Sequence, residues 1–141
     1  GQTMSAFDQI LRGKIPLVPK FAFPTVDVRD VAKLHVQALT LPVASGKRII
    51  VAGEEPNGML EVMNILKTEG YKGPSTLIAP NFLLRLLALF DREAKGMLVY
   101  LGMDVSCDNS ETRKMFNWMP IPFKQSVLET AVAIKSIQDK A

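Results

Sequence analysis

The stretch that decides the fold is "FPTVDVRDVAKLHVQAL", residues 23–39. Val26 and Val28 alternate with polar residues as in a half-buried strand, and the apolar spacing then becomes that of one helix face. Asp30 stands at this change, where its carboxylate can accept hydrogen bonds from the free N–H groups of a first helical turn. The stretch therefore predicts a strand that runs directly into a helix capped by Asp30.

The composition limits the kinds of protein and partner to be expected. The 141 residues are 48% apolar and 22% charged, which suits one globular domain with a buried core. The net charge of +3 comes from scattered basic residues without interleaved aromatic residues, which argues against a nucleic-acid partner. The most apolar run, residues 81–90, is too short to span a bilayer, and no signal peptide is visible, so we expect no membrane partner. The single cysteine, Cys107, suits a reducing, cytoplasmic setting and gives no cysteine-based metal site.

Helix and strand patterns alternate along the rest of the chain. Apolar spacing predicts helices over 3–11, after Pro56, after Pro80, over 110–116 and from Phe123 onward. "KRIIVAG", residues 47–53, is typical of a strand buried on both faces of a parallel sheet, and shorter strands are predicted over 76–78 and 105–107. This alternation predicts an α/β fold with too few strands to close a doubly wound sheet.

The residues that carry chemistry give no complete catalytic set. The nine glycines never take the G-x-G-x-x-G spacing that lets backbone N–H groups approach a pyrophosphate. We interpret His35 as a packing or partly exposed residue and Cys107 as a small buried hydrophobe rather than as nucleophilic partners. Asp27 and Asp30 flank Arg29, and a cap with an ion pair is favoured over general acid–base catalysis. We therefore assign no catalytic residue and no metal ligand to this chain.

Three segments in order resemble one enzyme family. "VDVRDVAKLHVQAL" (26–39) resembles a segment of the extended short-chain dehydrogenase/reductases, in particular the dihydroflavonol 4-reductase-like group of the NAD-dependent epimerase/dehydratase superfamily. "GKRIIVAG" (46–53) resembles the last strand of their nucleotide-binding sheet. "DNSETRKMFNWMPIPFKQSVLETA" (108–131) resembles their closing segment, with Phe116-Asn117 in place of Leu-Gly and Gln125 in place of Glu. The resemblance covers nearly the whole chain.

The resemblance implies an incomplete enzyme. The family's glycine-rich T-G-x-x-G-x-x-G loop and catalytic Y-x-x-x-K lie N-terminal to these segments, and neither Tyr71 nor Tyr100 has a lysine at that spacing. The chain also opens on Gly1 rather than Met, so we expect the C-terminal part of a longer protein. In that fold, residues 1–23 and 54–141 form the substrate-binding lobe, and 24–53 cross to the nucleotide-binding domain. The resemblance gives a structural role to Asp27, Arg29, Asp30 and Trp118.

The resemblance also implies a function. The complete protein is expected to be an NAD(P)-dependent oxidoreductase that reduces a carbonyl compound, dihydroflavonol-like or steroid-like, with NADP or NAD held mainly by its own N-terminal Rossmann domain. Phe23 stands where sugar-nucleotide epimerases of this superfamily carry an Arg that can clamp a diphosphate, which favours a neutral, apolar substrate over a diphospho-sugar. The substrate pocket is expected to include Leu17, Val18, Phe21, Phe23, Phe82, Leu86, Met97 and Met103.

A second hypothesis stays open, in which the chain is a stand-alone, non-enzymatic binding or interaction module derived from such a lobe. An unpaired apolar strand such as 48–52 invites association, so this hypothesis predicts a homodimer or a rearrangement that covers the strand. The apolar residues of 82–90 are compatible with either a core or a pocket wall.

Overall fold

The computed structural model describes residues 1–90, 95–96, 98–101, 103 and 105–139. Its helices of seven or more residues are α1 (Gln2–Leu11), α2 (Val28–Thr40), α3 (Met59–Thr68), α4 (Asn81–Leu87), α5 (Ser110–Phe116) and α6 (Phe123–Gln138). Strands β1 (Ala22–Pro24) and β2 (Pro56–Gly58) pair antiparallel, and 3₁₀ turns occupy Pro42–Ala44 and Leu98–Tyr100. The chain is therefore mixed helix with one small sheet, which is compatible with part of an α/β fold.

The larger core lies between α1, α3 and α6. Each of these helices repeats apolar residues at three- and four-residue intervals, so one face of each is apolar and packs inward. Met63 and Leu66 of α3 are fully buried there, against Ile10 of α1 and Val127 and Ala131 of α6. This three-helix core supports the loop that leads into β1.

A second, smaller core joins the middle of the chain to its later part. Leu34 of α2 and Ala44 pack with Phe116 of α5 and with the buried indole of Trp118. Segment 24–53 is therefore held against residues 109–118. The division into a lobe and a crossover stays a prediction.

The junction at 23–31 differs from its prediction by a few residues. The strand lies at β1, before Val26, and α2 already begins at Val28. Asp27 has extended backbone angles and its Oδ1 accepts a hydrogen bond from the Arg29 N–H (2.9 Å), so Asp27 is the N-cap. The prediction that Asp30 caps the helix was wrong, because Asp30 is already inside the first helical turn.

The predicted strand over 47–53 does not form a ladder. Within the described part of the chain, residues 48–51 have no regular secondary structure and no paired strand, and Ile50 is exposed. A strand needs a hydrogen-bonded neighbour, and the apolar pattern alone does not supply one. The predicted strand at 76–78 is reduced to a single parallel bridge between Val18 and Ile78, and residues 105–107 carry no strand pairing to the residues described.

The helices also have a length and an apolarity that bear on membrane crossing. None of those in the described ranges combines the length and apolarity that crossing a membrane requires.

Candidate functional site

The two-stranded sheet forms the floor of a cleft. Ala22 pairs with Gly58 and Phe23 with Asn57. A Cβ atom at Gly58 would stand 2.5 Å from the carbonyl oxygen of Phe21, so only glycine lets the two strands approach this closely. The sheet therefore fixes the backbone of Phe21 and Ala22 beside the start of α3.

The cleft is open to solvent and is lined by both apolar and polar residues. Its volume is about 590 Å³, between the loop before β1, strand β2 and helices α3 and α4. Volumes in this range suit small-molecule ligands. Its apolar lining comes from Phe21, Ala22, Pro56, Leu60 and Met103.

Aromatic packing behind the cleft supports this wall. The Phe23 ring lies 5.2 Å from the Phe21 ring and 4.8 Å from the Tyr100 ring, the latter at an interplanar angle of 83°. Tilted and edge-to-face pairs at these distances are favourable beyond the apolar area that they bury. The three rings therefore hold Phe21 in a defined position at the cleft.

Four polar side chains line the same cleft: Lys20, Glu61, Asn64 and Asn81. Glu61 and Asn64 are three residues apart and share a face of α3, whereas Asn81 begins α4. None of these four residues is predicted from the sequence as a site residue. The available signal was the position of Glu61 and Asn64 off the apolar stripe of their helix.

The predicted pocket residues are only partly brought together. Phe21 and Met103 line the cleft, and Phe23 packs behind Phe21. Val18 is completely buried in the three-helix core, and Leu17 beside it is half-buried.

Two further predicted pocket residues lie on the outer surface of α4. Phe82 is 72% exposed and Leu86 is 53% exposed, and the described lining of the cleft includes neither. Met97 lies outside the described residues. A substrate-binding role for these three residues stays a prediction.

The predicted structural residues form a connection between α2 and α6. Asp27 Oδ2 accepts hydrogen bonds from Ser126 Oγ (2.6 Å) and Arg29 Nη2 (2.7 Å), and Arg29 Nη1 reaches Glu129 Oε2 (2.5 Å). The hydrogen bonds from the Arg29 side chain hold the pKa of Asp27 well below its usual range, against the raising effect of burial. Asp27 therefore remains ionised and ties the start of α2 to α6.

Asp30 makes a second connection from the same helical turn. Its buried carboxylate accepts a hydrogen bond from the backbone N–H of Ile121 (2.8 Å), in the linker between α5 and α6. Trp118, in the same linker, packs in the smaller core. The linker is thus held from both ends.

Asn109 fixes the end of segment 47–53. Its Nδ2 donates to the carbonyl oxygen of Ala52 (2.7 Å), and the Gly53 N–H donates to the carbonyl oxygen of Thr25 (2.8 Å). Asn109 is almost completely buried. The segment is therefore anchored at its C-terminal end, although the described residues give it no strand partner.

Replacing Asn109 with alanine is expected to lower the free energy of unfolding by about 1–2 kcal/mol, because the amide's hydrogen bond to Ala52 is lost in a buried setting. The measurement is urea unfolding monitored by circular dichroism. The control is Arg113→Ala, which removes an exposed ion pair with Glu54 and is expected to cost about 0–1 kcal/mol. Equal losses for the two variants would contradict the role given to Asn109.

His35 and Cys107 have no catalytic geometry in the described structure. His35 is exposed on α2, and its Nδ1 lies 2.8 Å from the carbonyl oxygen of Val31, one turn earlier. Cys107 is half-buried.

An apolar surface remains open on α2. Val28, Val36 and Leu39 are 76%, 67% and 86% exposed, and their spacing of eight and three residues places them along one side of the helix. We call these three residues the α2 stripe. Backbone N–H groups of residues 48–51 donate to no backbone carbonyl in the described part of the chain. Exposed apolar surfaces and unpaired backbone groups are typical of interaction sites.

The comparison with known proteins finds a likeness among solved structures. No protein-family model and no curated protein matches this sequence. Among solved structures, the fold is similar to that of the terminal R domain from the myxalamid PKS-NRPS biosynthetic pathway, with a TM-score of 0.64 and 15% identity. The likeness shows the fold.

The extent of the likeness is unequal in the two proteins. It covers 98% of this chain and 39% of that chain. This chain therefore spans well under half of the structure that it resembles.

Proposed function

We propose that this chain is the substrate-binding C-terminal portion of an NAD(P)-dependent oxidoreductase that reduces a carbonyl compound with an apolar body. The observation that carries the proposal is the fold likeness to a terminal R domain over 98% of this chain and 39% of that chain. A protein built on the whole fold has room for a nucleotide-binding domain before this portion.

The partner in this proposal is the N-terminal Rossmann domain of the same protein. The α2 stripe would pack on the sheet of that domain, since an apolar helix face is stable only when it is covered. Residues 48–51 would add to the sheet edge as a parallel strand, which would pair their free backbone groups. The anchors at Asn109 and Gly53 would hold this strand ready for pairing.

The cleft supplies the substrate site in this proposal. Phe21 and Met103 would orient the apolar body of the substrate and exclude water from it. NAD(P), when bound, supplies the hydride. The glycines of this chain do not form the turn that cradles a pyrophosphate, so the cofactor would be held by residues of the preceding domain, as would the catalytic Tyr and Lys.

The experiment that tests the proposal is the intact mass of the protein as its native source produces it, measured by mass spectrometry after affinity capture. We expect a mass well above the 15.6 kDa of this chain, with added sequence that carries a glycine-rich loop and Y-x-x-x-K. A mass near 15.6 kDa would overturn it. The stand-alone binding module would then be favoured, because the described lining of the cleft comes from this chain itself.

The α2 stripe gives a second prediction. We expect the isolated chain to self-associate, and Val36→Asp to shift sedimentation velocity profiles towards the monomer, because a charge in the stripe opposes its burial. The matched control is Met119→Asp, which places the same charge at an exposed apolar residue outside the stripe and should leave the profile unchanged. A wild-type chain that is monomeric and unfolds cooperatively would contradict the prediction.

A further inference from the structure

We propose that the ligand of the cleft carries one anionic group on its apolar body, and that Lys20 binds this group. The inference rests on the proposed function, because it concerns the ligand of the same cleft, but it adds a charge that the aromatic lining does not predict.

Backbone hydrogen bonds on both sides of Lys20 place this exposed residue at the cleft. Val18 donates to the carbonyl oxygen of Leu77 (2.8 Å) and accepts from the N–H of Ala79 (2.8 Å), which fixes the chain two residues before Lys20. The Phe21 N–H donates to the carbonyl oxygen of Pro19 (3.2 Å), so Lys20 is the central residue of a tight turn. A cation on a fixed turn at the cleft loses little backbone freedom when a ligand binds.

The Lys20 ammonium is available to a ligand. Among the described residues, no carboxylate lies within ion-pair distance of it, although Glu61 lines the same cleft. The side chains of Asn64 and Asn81 also form no hydrogen bond to the described part of the chain, so their N–H groups can donate to a ligand. Lysine therefore supplies a point charge, and two carboxamides supply neutral donors, around one apolar space.

Glu61 limits the charge of the ligand. A carboxylate among the lining residues repels a second negative group in the same cleft, while Lys20 can balance one. A single carboxylate on an apolar body fits these two charges better than a diphosphate does. Phe23 also disfavours a diphospho-sugar, but a ligand with one carboxylate departs from the neutral substrate that the sequence favours.

The test uses a matched pair of probes, 4-phenylbutyrate and the uncharged 4-phenylbutyramide, with the full 141-residue chain. Equilibrium dialysis measures the two dissociation constants, and ¹H–¹⁵N NMR shifts locate the binding. We expect the acid to bind about tenfold more tightly than the amide, because one charge-assisted hydrogen bond adds binding free energy of about that size. Shifts are expected at Phe21, Asn64 and Asn81.

Variants test whether Lys20 causes the preference for the acid over the amide. Lys20→Met is expected to abolish the difference between the two probes, Lys20→Arg to keep it, and Lys14→Met, an exposed lysine outside the described lining of the cleft, to leave it unchanged. Equal binding of both probes to the wild-type chain, or a preference that survives in Lys20→Met, would overturn this inference alone. Probes that shift no cleft residue would overturn the inference and the proposed use of the cleft together.

Discussion

Replacing Asp27 with alanine is expected to lower the free energy of unfolding by about 2–4 kcal/mol at neutral pH. The substitution removes the N-cap of α2, which typically contributes about 1 kcal/mol, and the charge-assisted hydrogen bonds from Ser126 and Arg29. Because Asp27 joins α2 to α6, its loss acts on both helices. Urea unfolding monitored by circular dichroism measures the change.

The contribution of the Asp27 charge is expected to depend on pH. The pKa of Asp27 is lowered in the folded protein, chiefly by its hydrogen bonds with Arg29, so folding favours the ionised form. Its contribution is complete above the unfolded-state pKa of about 4 and is lost as the pH falls through the lower folded-state pKa. The stability difference between the wild-type chain and Asp27→Asn should therefore be largest near neutral pH and smaller at about pH 3.

An exposed carboxylate provides the control for this pH dependence. Glu55→Gln removes a charge from the exposed loop before β2 and is expected to change stability little at either pH. A difference between wild type and Asp27→Asn that stays constant from neutral pH to pH 3 would contradict the role given to the carboxylate.

Helices of this chain could be predicted from the sequence because their signal is local. The apolar residues of α3 and α6 recur at the helical period, and the same residues, Met63, Leu66, Val127 and Ala131, are buried in the structure. Strands depend on a partner elsewhere in the chain. The apolar pattern of residues 47–53 is typical of a buried strand, but such a strand forms only beside a neighbouring strand. The described residues supply no neighbouring strand for this segment.

The candidate site could be predicted only in its apolar part. Phe21 and Phe23 stand out because they are aromatic residues in a proline-rich loop; Phe21 lines the cleft and Phe23 packs against Phe21. Lys20, Asn64 and Asn81 come from three separate segments, and polar surface residues have no period that links them. Their convergence is a property of the tertiary fold, so a single sequence does not reveal it.

The Asp27 and Asp30 assignments show how tertiary contacts decide between equivalent residues. Both carboxylates stand near the start of the helix, and either residue type can cap. In the structure, the Asp30 carboxylate accepts a hydrogen bond from the Ile121 N–H in the linker between α5 and α6. Asp27 is the N-cap of α2. That linker is 91 residues away in the chain, beyond the reach of local patterns.

Replacing Asp30 with alanine should therefore destabilise the chain although Asp30 is not the cap. The Ile121 N–H loses its acceptor in a part-buried position, and a buried volume is left empty, which together should cost about 2–3 kcal/mol. Asp30→Asn keeps an acceptor oxygen of the same shape and should recover part of the loss. The buried indole of Trp118, the single tryptophan, lies in the same linker, so its emission should shift to longer wavelength in Asp30→Ala. If Asp30→Ala unfolds at the wild-type urea concentration with unshifted emission, the linker is held by Trp118 packing alone and the Asp30 contact is dispensable.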